Sequence, residues 1–317
     1  MDCSIDRAQL MRQAAADGSL VNLTHLIEVE KIFIDAKGPK SGMSALHWAA
    51  KKEHLSIVQY LVNREADTRL QNKEGQIAAE LTMDRTIQEF LEVAPVVQRG
   101  VRFAKTTFSK PYNQTAEGKS VRKQYQQIGK NHYSQEMDGI FHHGNANRYT
   151  EIDCRSINYA IELLSSLHAA RETKRSEATC GLQAIAVAAH LLVFSPKTPF
   201  EEICVLPKEA TGVLMIEGVA YKDHNILKMH LPGSSWVIID CFAAEPIQID
   251  GEVSARTRSW LLDYPVRRRF SHAGLHQLSS SGQSDLQSLS KKIHPFIETH
   301  FFPLKDSMPS TQYCSLL

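Results

Sequence analysis

Residues 178–192 read Ala-Thr-Cys-Gly-Leu-Gln-Ala-Ile-Ala-Val-Ala-Ala-His-Leu-Leu, and the density of apolar positions at helical spacing predicts a helix buried through a domain centre. Downstream the pattern changes to short runs rich in apolar and β-branched residues, at 211–219, 223–231 and 235–242, which read as three antiparallel strands. Leu231-Pro-Gly-Ser234 is the turn between the last two, because Pro presets φ and Gly accepts φ > 0. A third pattern lies near the start, where Ile57, Val58, Leu61 and Val62 make one apolar helical face. From about 96 to 150 periodicity fades and basic residues (Arg99, Arg102, Lys105, Lys110, Lys119, Arg122, Lys123, Lys130) mix with Tyr112, Tyr125 and Tyr133. This stretch is expected to be a linker or irregular subdomain. A further helix is expected from Glu151 to Leu167, capped by Asp153 or the residues just before it.

The early pattern repeats. Gly42 recurs as Gly75, 33 residues on, and Ala45 recurs as Ala78 in the same register. The segment Lys40-Ser-Gly-Met-Ser-Ala-Leu-His-Trp-Ala-Ala50, with the helix at 53–62, closely resembles an ankyrin repeat. An imperfect copy precedes it (Leu10–Gly18 to Leu26–Ile27), and a shortened one follows (Gly75–Leu81 to Ile87–Leu91). Three units are about the fewest that bury a shared solenoid core. His47 sits where such repeats carry a histidine for internal hydrogen bonding. The resemblance implies a protein-binding role, or docking against the rest of the chain.

The buried-helix run opens on Cys180. A thiol on a first helical turn faces the orphan backbone N–H groups, and an imidazole partner is a second means of favouring the thiolate. His224 opens one predicted strand and Asp240 closes the next, an order that suits a nucleophile, its base and the base's orienter. Register decides whether they meet. A hairpin loop with an odd number of residues, such as 231–233, pairs 230 with 234 and sets His224 directly opposite Asp240. An even loop sets them on opposite faces. The odd register, or a bulge with the same effect, is expected. Each residue also has a plain structural role open to it: Cys as a small core hydrophobe, His as a satisfied strand residue, Asp as the start of a turn. Cys154 is a rival nucleophile at the head of the preceding helix.

The Cys180 helix, Asp223-His-Asn-Ile-Leu227 and Trp236-Val-Ile-Ile-Asp240 resemble the papain-like cysteine proteases, most closely the YopT and AvrPphB type of secreted bacterial effector. The resemblance covers about 154–246 in short motifs. It implies an α+β fold in which a helix packs on an antiparallel sheet, with Cys180, His224 and Asp240 as catalytic residues. Two departures stand out. Asp240-Cys-Phe242 replaces the family's Asp-Pro-Trp, and the Cys-to-His interval is short. Where such enzymes keep an oxyanion-donating Gln, six residues before the nucleophile, this chain has Lys174. The second oxyanion donor is therefore unassigned.

Across 317 residues, 43% of them hydrophobic, the formal charge is +1, which gives no overall electrostatic reason to bind nucleic acid. Six cysteines (3, 154, 180, 204, 241, 314) have no paired spacing, so neither a disulfide framework nor a zinc knuckle is expected. Adjacent His142 and His143 point apart. No metal or other cofactor is expected. The N-terminus lacks a basic region followed by an apolar core, and no apolar run is long enough to span a bilayer. Cys314-Ser-Leu-Leu317 fits the C-a-a-X prenylation pattern, with Arg267-Arg-Arg269 and Lys291-Lys292 as candidate basic support.

The expected organisation is then ankyrin repeats at 1–95, a basic linker at 96–150, the papain-like unit at 151–306 and a tail at 307–317. The function these features imply is a bacterial effector in a host cell, with the repeats on a host protein and a prenyl group at Cys314 on a host membrane. Protease, deubiquitinase, deamidase and transglutaminase chemistry all stay open. So does a non-catalytic adaptor on a degenerate papain-like scaffold.

Overall fold

The computed structural model describes residues 6–107, 110–111, 150–151, 177–178, 180–195, 197–209, 214–216, 219–221 and 224–272. Its N-terminal part is a stack of helical pairs. α1 (Arg7–Ala16) packs with α2 (Leu20–Thr24), which continues as one π-helical turn over His25–Val29. α3 (Ala45–Lys51) packs with α4 (Leu55–Asn63), and a 3-10 turn at Ala78–Leu81 leads into α5 (Arg85–Thr107). Gly42 and Gly75 both have positive φ, 73° and 79°, in equivalent turns. At Gly42 a Cβ would also lie 2.7 Å from the Lys73 backbone nitrogen, so the next turn closes over it.

The helix start at α3 shows why His47 belongs to the fold. The Ser44 N–H donates to His47 Nδ1 at 3.2 Å and Ser44 Oγ lies 2.8 Å from the same atom, while Nε2 reaches the Gln76 carbonyl at 3.2 Å. One ring thus caps its own helix and ties down the following turn. Burial, the largest influence, holds its pKa below the ordinary value, so the ring is neutral.

Helix α5 runs on through position 95, where the repeat region was expected to end, and Pro95 lies inside it. Val97, Val101 and Ala104 continue the spacing set by Ile87, Phe90, Leu91 and Ala94, and all seven are buried. The apolar stripe therefore outlasts the basic residues interleaved with it, which is why a helix forms where a linker was expected.

The second part is built on a six-stranded sheet. In chain order its strands are β2 (Thr150–Glu151), β4 (Phe200–Val205), β7 (His224–His230), β8 (Trp236–Ile239), β9 (Ile247–Ile249) and β10 (Val266–His272). Their spatial order is β2-β10-β4-β7-β8-β9, antiparallel throughout except for the β2–β10 pair. Two short pairs stand apart: β1 (Lys110–Pro111) with β3 (Glu177–Ala178), and β5 (Leu214–Ile216) with β6 (Val219–Tyr221). The single strand expected at 211–219 is thus two strands paired with each other. The place beside β7 belongs to β4, whose sequence Phe-Glu-Glu-Ile-Cys-Val conceals its role behind two glutamates that are both buried.

Helix α6 (Cys180–Phe194) lies between α5 and one sheet face, where Leu227, Met229, Val237, Ile239, Ile247 and Ile249 join the core that begins in the repeats. Gly100 lets α5 approach closely, since a Cβ there would meet Val187 at 3.3 Å and His190 at 3.4 Å. His190 is fully buried between Phe103 and Phe194, and burial, followed by the Arg99 charge, lowers its pKa to about 3. The opposite sheet face, with Ile203, Val205, Ile226 and Ile238, is covered by Leu214 and by Trp260 of α7 (Ala255–Asp263).

The outer edge of β9 is closed by the repeat unit. Asn63 of α4 donates from Nδ2 to the Ile247 carbonyl at 2.7 Å and accepts the Ile247 N–H at 2.9 Å. One helical turn earlier, Gln59 accepts the Ile249 N–H at 2.7 Å and donates to the Glu252 carbonyl at 3.2 Å. Two side-chain amides spaced i, i+4 on a helix thus stand in for a neighbouring strand. Arg64 bridges the same junction, bonded to Glu28 of the repeats and to Glu245 at 2.9 Å.

Candidate functional site: a cysteine, a histidine and an aspartate at one end of the sheet

The β7–β8 hairpin determines how the site assembles. Residue 230 pairs with 236, and the Leu231 N–H donates to the Ser235 carbonyl at 2.8 Å, so the loop is 232–234. It holds an odd number of residues, but the register is displaced by two from the example of 230 with 234. Asp240 falls level with residue 226, on the same face as His224 and one diagonal step away. Positive φ, expected at Gly233, belongs to Ser234 at 75°. A left-handed last residue is the usual form of a three-residue hairpin loop. The Gly233 N–H donates to Glu89 Oε2 of α5 at 2.7 Å, and a Cβ there would sit 2.9 Å from that oxygen, so a larger residue would make the carboxylate shift.

His224 Nε2 and Asp240 Oδ2 are 3.0 Å apart, and both side chains are essentially inaccessible. The other carboxylate oxygen, Oδ1, accepts the Phe242 N–H at 2.9 Å. Asp240 thus starts a turn with one oxygen and holds an imidazole with the other, so its structural and chemical roles coexist. Phe242 and Trp260 meet the ring of His224 edge-on, at centroid distances of 5.7 and 5.0 Å. Phe242, at the point of departure from Asp-Pro-Trp, therefore supplies one aromatic wall.

Burial works against charge on His224, yet the Asp240 carboxylate overcomes it and Cys180 adds in the same direction, raising the ring's pKa to about 10. For Asp240, burial favours the neutral acid, but the facing imidazolium outweighs it and the pKa is lowered. The pair is therefore ionised at neutral pH, which gives an adjacent thiolate an imidazolium partner.

Cys180 is the first residue of α6 and is 3% exposed. Its Sγ accepts a hydrogen bond from Asn225 Nδ2 at 3.4 Å. Asn225 was not singled out in the sequence. Its position directly after His224, at the start of a strand beside the helix that carries the sulfur, is the signal that could have found it. The structure thus brings Cys180, His224, Asn225 and Asp240 together.

Two other cysteines lie in the described part. Cys204 is buried in β4. Burial and then the Asp240 carboxylate push the Cys241 thiol up to about 12, which makes it a poor nucleophile. Arg267, Arg268 and Arg269 lie in β10, with a register shift between Arg268 and Phe270. Cys3, Cys154, Cys314, the helix expected from Glu151 beyond that residue, the His142-His143 pair, Lys291-Lys292 and the tail at 307–317 lie outside the described residues. Among the described residues, no helix is long and apolar enough to cross a membrane.

The family model of ankyrin repeats (3 copies) matches residues 4–81. Ankyrin repeat domain-containing protein 40 of Mus musculus and that of Homo sapiens are each 28% identical to this chain over 88 residues, or 28% of this chain and 24% of theirs. The chain thus spans about a quarter of the length of the curated relatives it matches. Such repeats generally mediate protein–protein interactions. The fold is α+β, and its N-terminal region is formed by three ankyrin repeats.

Proposed function

We propose that the C-terminal unit is a papain-like thiol enzyme, a cysteine protease or related acyl-transfer enzyme. In this reading Cys180 attacks a carbonyl, His224 carries the proton, and Asp240 fixes and charges the ring. The observation that carries it is the 3.0 Å His224–Asp240 pair beside a cysteine on the first turn of a helix, with the sulfur close enough to raise the imidazole pKa. The cluster joins three chain segments through one hairpin and one helix terminus, an expensive arrangement for groups that served packing alone. The same proposal has the protein act as a bacterial effector in a host cell, with the repeats engaging a host protein and Cys314 prenylated. On this reading the intact chain partitions with membranes when expressed in a eukaryotic cell, and Cys314→Ser stays in the soluble fraction. Equal partitioning of the two would reject the lipid component.

The burial of Cys180 and His224 favours a second reading, a non-catalytic scaffold that presents the repeats. Iodoacetamide labelling followed by peptide mapping separates the two. The enzyme reading expects Cys180 to label well ahead of Cys204 near neutral pH and to lose that lead in His224→Ala. Labelling at the rate of Cys204 in both proteins would support the scaffold.

A further inference from the structure

Asn225 is the buried polar residue at the site to which the triad gives no task. It is 7% exposed and directly follows the base on β7. Successive strand residues leave on opposite faces, so His224 faces Asp240 and Trp260, whereas Asn225 shares its face with Leu227 and Met229 beneath α6. The two neighbours therefore address the Cys180 sulfur from different sides. The Nδ2–H···Sγ contact at 3.4 Å spends an amide donor on sulfur, a weak acceptor as a thiol and a much better one as a thiolate.

We infer that the Asn225 side-chain amide is the second donor of the reaction, holding the thiolate at rest and the oxyanion once a carbonyl has been attacked. This rests on the thiol-enzyme reading. As the sulfur electron pair forms the C–S bond, the carbonyl π pair moves onto oxygen, while the thiol proton resides on His224. Collapse of the oxyanion restores C=O and breaks the bond to the leaving group, which takes the proton from His224. Water then attacks the thioester by the same two steps and releases the acid and the thiol. A carbon bonded to sulfur carries its oxygen only one bond further away, within reach of a donor that already touches the sulfur. The Cys180 backbone N–H at the helix terminus completes the pair of donors. Asn225 would thus fill the place left by the Gln missing six residues before Cys180.

Two reagents test this on the full chain. Acetylation of Cys180 by p-nitrophenyl acetate passes through an oxyanion, whereas alkylation by iodoacetamide displaces iodide from a saturated carbon and forms none. In Asn225→Ala and in the uncharged, size-matched Asn225→Leu, acetylation is expected to fall about 100-fold, with alkylation reduced less than about tenfold. Equal slowing of both reactions, or an unchanged ester reaction, overturns the assignment while leaving the nucleophile in place. A wild-type Cys180 inert to both reagents overturns the enzyme reading itself, and this assignment with it.

Discussion

Two buried histidines, one in each half of the molecule, show what a partner does to the same side chain. His47 is hydrogen-bonded by a serine hydroxyl, a backbone N–H and a carbonyl, none of them charged, and burial, assisted by the Lys37 charge and outweighing that of Asp67, keeps the ring uncharged. His224 is equally buried but faces a carboxylate, and its pKa rises to about 10. The first is assembled within 33 residues, from one helix start and the next turn. The second needs a hairpin, a helix terminus and a covering helix. Burial leaves a ring neutral, as at His47 and at His190, whereas a facing carboxylate keeps an equally buried ring charged, as at His224.

The largest expected effect comes from separating the charged pair. Asp240→Asn leaves a buried imidazole without its anion and should cost about 3 kcal/mol of stability, read as a lower urea midpoint. The acetylation of Cys180 should fall by about 10⁴-fold if the ring's orientation matters as in other triads. A variant as stable as wild type would show that the ion pair contributes little to the fold.

Next come the amides at the junction. Asn63→Ala and Gln59→Ala each strip backbone groups of the edge strand of their partners, at about 1–3 kcal/mol apiece. Hydrogen exchange at Ile247 and Ile249 reads the effect directly. Unchanged protection in both variants would mean that the edge is held by other contacts.

His47→Ala should cost about 1–2 kcal/mol by uncapping α3. The pH dependence sharpens the contrast between the rings, because their shifts have opposite signs. A lowered folded pKa means that the unfolded ring binds protons first, so the contribution of His47 is lost as pH falls through about 6.5. A raised folded pKa means the reverse: stabilisation linked to His224 is fully present below 6.5 and is lost as pH rises through about 10. Urea titrations of His47→Ala and His224→Ala against pH should therefore diverge from wild type on opposite sides. Divergence on the same side would contradict the two protonation states. The smallest net effect is expected at Gly100→Ala, where moving Val187 and His190 aside by a few tenths of an ångström costs about 1 kcal/mol and the gain in helix propensity offsets about as much, leaving the urea midpoint nearly unchanged.

The sequence made some of this arrangement legible for specific reasons. The repeats were readable because Gly42 and Gly75 mark equivalent turns and the helices between them are amphipathic. Helix α6 and strands β7 and β8 were readable because apolar residues dominate their inner positions, broken only by single polar residues such as Gln183, His190 and Lys228. Strand β4 was concealed by Glu201 and Glu202, and β10 by its arginines, because a polar residue in an interior strand looks like a loop residue until its pairing is known. The reach of α5 was missed because arginines and a lysine alternate with its apolar stripe. Parity of the hairpin followed from the requirement that two residues share a face. Its displacement by two could not be read, because side chains alternate with period two and registers two apart put the same residues on the same face.

The amides of Gln59 and Asn63 also bear on what happens if the chain is cut between its halves. Released from α4, β9 would present a row of bare N–H and C=O groups along an isoleucine-bearing ribbon, a ready template for another copy to extend. A fragment beginning after the repeats should therefore be prone to pile into oligomers. On this view the repeat array shields the sheet edge from other copies of the chain.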